Sequence, residues 1–364
     1  MSVIIKRPTN VHLTVSIQQV VKGVGKPAIA ILTKGTSTKA KIYSTIDDLS
    51  QDYNESTDVF ETAKAAFEVP GFNESVEVLQ YGSTAALQAP TQSSDNGNVS
   101  TSDSNTTALT PVSQIVADHL FDGFNYLVPD KTVPETDLED LSDFLYDNQR
   151  VVLYAQLNSV ADLQKLSTHV QSYQKDDKEK QGNTGAIVET SDRKPAVQIV
   201  AYASINAPTD LGHVGNLSQM VPDDDLTQSD YEAIDSANGS VVVNKADWAM
   251  SNSGKALKGN YIDQFVHVQM VTDEIKRVIQ NYLNSQKFPA YDESTVSMIE
   301  KLIDGVSKEY TANGILVDPI VVTSTPINQV PDRLVEDREF SKFGFNFKIA
   351  NDVQDINANV NVIV

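Results

Sequence analysis

Strand and helix signals alternate along this chain from about residue 27 to about residue 250, which leaves few folds open to it. Pro27-Ala28-Ile29-Ala30-Ile31-Leu32 is a short apolar run with the length of a buried strand. Thr45, followed by Asp47 and Asp48, is a helix start, because a hydroxyl cap and first-turn carboxylates satisfy the exposed N–H groups there. Ser56-Thr57-Asp58 opens a second helix whose apolar face is Val59, Phe60, Ala63, Ala66 and Phe67, and Pro70-Gly71 ends it. Val76 to Tyr81 then returns as a strand.

The same order recurs further on. Strands are expected at 124–128, 151–155, 185–188 and 240–243, with helices at 135–146, 161–173, 195–203 and 229–237. Strands that alternate with helices pair in parallel, with the helices covering the sheet faces. After Gly259 the pattern changes. Ile262 to Leu283 is a long helix with Phe265, Val268, Ile275, Val278, Ile279 and Tyr282 on one stripe. A second helix starts at Ser294 and stops at Asn313-Gly314. Ile320-Val321-Val322 and Phe343 to Ile349 follow as strands.

Both ends of the chain show period-two alternation. Near the start, Val11, Leu13, Val15 and Ile17 take every second place; at the end Ile356, Ala358, Val360, Val362 and Val364 do so. Strands placed so far out are captured by their own domain or by another chain. Between 91 and 107, nine of seventeen residues are Ser or Thr, so the stretch has no core of its own to offset ordering and reads as a flexible loop or linker. The expected organisation is multidomain α/β and α+β: an N-terminal strand arm (1–22), a small α/β unit (23–90), a Ser/Thr-rich linker (91–110), a central, mainly parallel α/β domain (111–259), a C-terminal domain of two helices and strands (260–350), and a C-terminal strand arm (351–364).

Composition narrows function. The 364 residues carry 28 Lys and Arg against 49 Asp and Glu, a net charge of −21. Such a polyanion lacks the basic footprint for nucleic acid and is repelled by anionic membranes, so neither is expected as a direct partner. Cysteine is absent, which removes disulfides, thiolate nucleophiles and thiolate metal sites. No secretory signal and no membrane-spanning run is visible. The five histidines, His12, His119, His169, His213 and His267, have no metal-ligand spacing and read as ordinary surface or partly buried residues. Asp223-Asp224-Asp225 fails the calcium-loop pattern and reads as a turn leading into a helix. Gly23-Val24-Gly25-Lys26 lacks the hydroxyl residue of a phosphate loop, since Pro27 follows. Trp248, the single tryptophan, is expected in the core. No catalytic residue, cofactor or metal is expected, and the chain reads as a non-enzyme.

Four segments and their order carry a family resemblance. Gly25 to Gly35, Ile46 to Tyr53, Val59 to Phe67 and Glu77 to Gly82, followed by a central α/β domain and Gly259-Asn260-Tyr261-Ile262-Asp263 leading a long helix, resemble the tail sheath proteins of contractile bacteriophages and phage-tail-like particles. Tyr53-Asn54 stands where the family often has an aromatic-glycine pair, and 91–107 looks like a local insertion. The resemblance implies a subtilisin-like central fold without protease activity. It implies a structural subunit that polymerises as stacked hexameric rings around a tail tube and contracts to drive the tube through a cell envelope. Subunits would interlace by strand exchange through the terminal arms (Val11, Leu13, Val15, Ile17, Ile356, Ala358, Val360, Val362 and Val364). The implied partners are further copies of the chain, the tail tube protein, and baseplate and tail terminator proteins. The implied location is a virion tail assembled in the host cytoplasm. A tail tube or baseplate component, and more distantly an α/β enzyme, remain as alternatives.

Overall fold

The computed structural model describes residues 27–82, 109–174, 180–287, 292–324, 329 and 343–350. Both expected terminal arms and the stretch at 91–107 lie outside these residues.

Strand β1 (Pro27–Gly35) is buried along nearly its whole length, as its apolar run requires. It is followed by β2 (Lys39–Tyr43), α1 (Ile46–Ser50), α2 (Asp58–Phe67) and β3 (Ser75–Gly82). Next come α3 (Pro111–His119), β4 (Tyr126–Pro129), α4 (Glu135–Asn148), β5 (Val152–Leu157), α5 (Val160–Ser172), β6 (Thr184–Val188) and α6 (Pro195–Ile205). Helix α7 (Gln228–Ser236), β7 (Ser240–Lys245), β8 (Trp248–Ser251) and α8 (Ile262–Ser285) complete this region. The helix starts follow their caps. Thr45 accepts from the Asp48 N–H, Ser159 from Asp162, and Thr227 forms a reciprocal capping box with Asp230.

Eight strands form one sheet in the order β2-β3-β1-β4-β5-β6-β7-β8. Pairing is parallel except at the two ends, where β2 lies antiparallel to β3 and β8 to β7. Because β1 pairs with both β3 and β4, residues 27–82 and 126–251 share this sheet, and 91–110 does not separate two sheets. Strand periodicity sorts the core into two layers. Ile29, Ile31, Val76, Val78, Val128 and Tyr154 pack against α2 and α6 on one face. Ala30, Leu32, Leu79, Leu127, Leu153 and Val188 pack against α3, α4, α5 and α7 on the other. A sheet covered on both faces accepts near-continuous apolar strands.

The compact unit that contains this sheet extends to Lys276, inside α8, and a second unit begins at Arg277. The second unit holds α9 (Glu293–Ala312), β9 (Val321–Ser324) and β10 (Phe343–Asn346). Asp292 caps α9 through the Thr295 N–H, and Gly314, at φ +75°, takes the left-handed position beyond its end. Among the described residues no helix is long and apolar enough to cross a membrane.

Trp248 corrects the sequence reading. It is 57% exposed rather than buried. Ala246 and Asp247 both have positive φ and form a two-residue turn between β7 and β8, so Trp248 sits at the tip of a hairpin opposite Lys245.

Candidate assembly surface

The nine arm residues expected to exchange strands (Val11, Leu13, Val15, Ile17, Ile356, Ala358, Val360, Val362 and Val364) lie outside the described residues. The described residues include the edges of two sheets. A strand edge is a template for another chain unless it is short, charged or covered.

The eight-stranded sheet has both edges managed. At one end, β2 carries Lys39 and Lys41. Lys41 donates to Asp52 at 2.6 Å, and the Lys39 ammonium lies 4.2 Å from the Tyr53 ring centroid. The Lys41 and Tyr43 hydrogen bonds hold the Asp52 carboxyl below its usual range. At the other end, residues 214–216 run along β8. The Asn216 N–H donates to the Ala249 carbonyl at 2.8 Å, and the Ser251 N–H donates to Val214 at 2.9 Å. Gly215 makes this cover possible, because a Cβ there would stand 2.6 Å from the Met250 Cβ.

The small sheet of the second unit is different. Among the described residues it consists of β9 and β10 alone, antiparallel, with Val321 opposite Asn346 and Ser324 opposite Phe343. The ladder continues through Val317 N–H to Lys348 and Ala350 N–H to Ile315, at 3.0 and 2.9 Å. Neither strand contains a charged residue. Val321 is 58% exposed and Val317 48%, so apolar surface faces outward. The sheet is anchored to α9, where Ile320 N–H donates to Ser307 Oγ and Ser324 Oγ donates to Glu300, both at 2.7 Å.

A parallel α/β sheet binds ligands at the carboxyl ends of its strands, where neighbouring connections leave in opposite directions. Here that crevice lies beyond β1 and β4 and is filled by its own charges. Lys194 pairs with Asp58, and Lys131 pairs with Asp192. The Lys131 N–H also donates to Asp58, at 2.8 Å. Lys34 and Tyr81 both donate to Asp137, at 2.9 and 2.6 Å. Asp130 accepts from the Thr132 N–H, yet burial pushes its carboxyl above the usual range. The remaining space is about 10 Å³, room for one water at most. These side chains bond one another across the elements, and the arrangement stitches the strand ends together.

The acidic triplet reads as the sequence suggests. Asp223 is buried and accepts from Thr190 N–H and Oγ at 3.0 and 2.6 Å and from Asp225 N–H at 3.1 Å, which closes a turn ahead of α7.

Comparison with protein-family models and with curated proteins finds no match. Solved structures do match, over the whole chain. A chain of the anti-feeding prophage baseplate in its contracted state aligns with a TM-score of 0.64 at 9% identity, over 98% of both chains. A chain of an extracellular contractile injection system, the PVC sheath complex in its contracted state, aligns with a TM-score of 0.60 at 11% identity, over 99% of this chain and 98% of that one. The sheath tail protein of Desulfitobacterium hafniense aligns with a TM-score of 0.50 at 9% identity, over 93% of this chain and 99% of that one. The chain therefore has the fold of phage-tail-like sheath proteins.

Proposed function

We propose that this protein is the structural subunit of a contractile sheath. The observation that carries the reading is the end-to-end likeness to chains of contractile injection particles, one of them a sheath complex. The uncharged two-stranded sheet of β9 and β10 supports it, since strand addition to such an element is a common mode of assembly. In this reading, copies stack as hexameric rings around a tail tube. The N-terminal strand (Val11, Leu13, Val15, Ile17) and the C-terminal strand (Ile356, Ala358, Val360, Val362, Val364) of neighbours add to β9 and β10. Contraction drives the tube through a cell envelope. The particle's baseplate, tube and terminator proteins are the further partners, and assembly takes place in the host cytoplasm. No turnover is assigned to the chain.

Negative-stain microscopy of the purified protein tests this. Wide cylinders are expected from the full chain, and deletion of residues 355–364 is expected to leave a soluble monomer. Cylinders of normal width from the truncated chain would remove the arm-exchange claim. One of the similar chains comes from a baseplate structure, so a baseplate subunit is the second reading. Discrete rings that never grow into cylinders would favour it.

A further inference from the structure

One side-chain cluster stands apart from the surfaces above. Glu77 on β3 sits beside Ala30 of β1, on the face that α3 covers. It is only 2% exposed, a carboxylate inside an apolar layer. His119, the last residue of α3, meets it there with Asp122. His119 Nδ1 lies 2.7 Å from Asp122 Oδ2 and 3.3 Å from Glu77 Oε1. One ligand atom from each of the three residues lies within 4.8 Å of the others. Glu77 Oε2 is buried and has no hydrogen-bond partner. A buried carboxylate oxygen left without a donor is costly, and a bound cation nearby is one way to compensate it. Two carboxylates also face a single imidazole, with one of them, Glu77, withdrawn from water. Burial raises the Glu77 carboxyl, and the two acids draw the His119 imidazole up to about 9.

We propose that Glu77, His119 and Asp122 form a site for a divalent transition-metal ion of the Zn²⁺ class. An imidazole nitrogen with two carboxylate oxygens is a donor set that suits Zn²⁺, whereas Ca²⁺ and Mg²⁺ favour oxygen alone. Ligand bonds of about 2.1 Å in a tetrahedron place ligand atoms about 3.4 Å apart. The Glu77–His119 separation already fits. The His119–Asp122 contact has to open by several tenths of an ångström, which the partly exposed Asp122 can accommodate. The partial exposure of His119 and Asp122 leaves a path for the ion and a fourth position for water. The ion would replace the imidazole proton and compensate the buried charge of the Glu77 carboxylate. It would pin the end of α3, the first described helix after the 91–110 stretch, to the sheet.

Equilibrium dialysis of the untagged, chelator-treated full chain against Zn²⁺ tests the proposal. One ion per chain is expected. Asp122→Asn and His119→Gln are each expected to weaken binding about tenfold or more. His169→Gln is the control, because His169 also lies between two acids, Glu139 at 3.8 Å and Asp143 at 3.0 Å. Binding should be unchanged in that variant. Asp122 is partly exposed, so its variant keeps the fold even if a change at buried Glu77 does not. Co²⁺ substitution gives a second readout, visible d–d bands present in the wild type and lost in His119→Gln. The proposal is overturned by failure of the wild type to bind stoichiometrically, by equal affinity in the wild type and both cluster variants, or by loss only in His169→Gln.

Discussion

At the scale of single residues, Asp130 shows how the filled crevice couples to pH. Its folded-state affinity for a proton is raised chiefly by burial. The folded protein then binds more protons than the unfolded chain in the window just above the ordinary carboxyl range. Stability falls as pH rises through that window and stays lowered at neutral pH. Asp130→Asn keeps the Oδ1 acceptor for the Thr132 N–H and removes the charge. The variant is expected to be more stable than the wild type at pH 7, with the gap closing at pH values below both carboxyl ranges. Denaturant titration at several pH values measures this, and a variant less stable at pH 7 would refute it. Other residues were legible only in part. Glu77 alternates with Val76 and Val78, so in the sequence it reads as the solvent face of a strand. Helix α3, on the same face, buries it instead. His119 and Glu77 are brought together by the fold from opposite sides of the Ser/Thr-rich stretch, and no local spacing announces them. Trp248 misleads in the other direction, because hydrophobic character sets a preference for burial while the turn sets the actual direction.

At the scale of elements, β9 and β10 make the assembly reading testable without truncation. Val321→Lys places a charge on an exposed position of an uncharged strand. Thermal stability of the monomer is expected to stay within about 0.5 kcal/mol of the wild type, as for other exposed substitutions. Cylinder formation, followed by sedimentation and microscopy, is expected to be lost or sharply reduced. Unchanged cylinders would mean that added strands avoid β9. The elements that the sequence disclosed are those with a strong period or a cap: β1, β3, α2, α8 and α9 among them. Those it hid are β2, β8 and α3. Strand β2 reads Lys-Ala-Lys-Ile-Tyr, with two charged residues and a single buried one, which is the composition of a guarded edge rather than of a core strand. Strand β8 is four residues long and follows a turn without glycine. Helix α3 starts close behind a stretch with almost no apolar content. The order of the parallel strands was not legible, because β1 sits between β3 and β4 through tertiary pairing alone.

At the scale of the whole molecule, the net charge of −21 sets the long-range force between any copies that meet. Copies that meet carry like charges and repel unless the acids point outward and the lysines and arginines gather at contacts. Assembly is therefore expected to strengthen as salt rises from about 0.01 to about 0.15 M, the range over which screening shortens from about 30 to about 8 Å. Light scattering follows it directly. A steady weakening with salt would instead identify attractive charge pairs as the dominant contacts. The two managed edges of the main sheet have a further consequence. Among the described residues, the sheet whose strands carry no charge is the small one of β9 and β10, so the hazard of edge-to-edge growth is greatest there. On the proposed assembly, the charged and covered edges of the large sheet keep it from pairing with other copies, and joining is left to the short sheet and the strands that add to it. Cohesion between molecules and integrity within each one would then be independent properties, open to change one at a time.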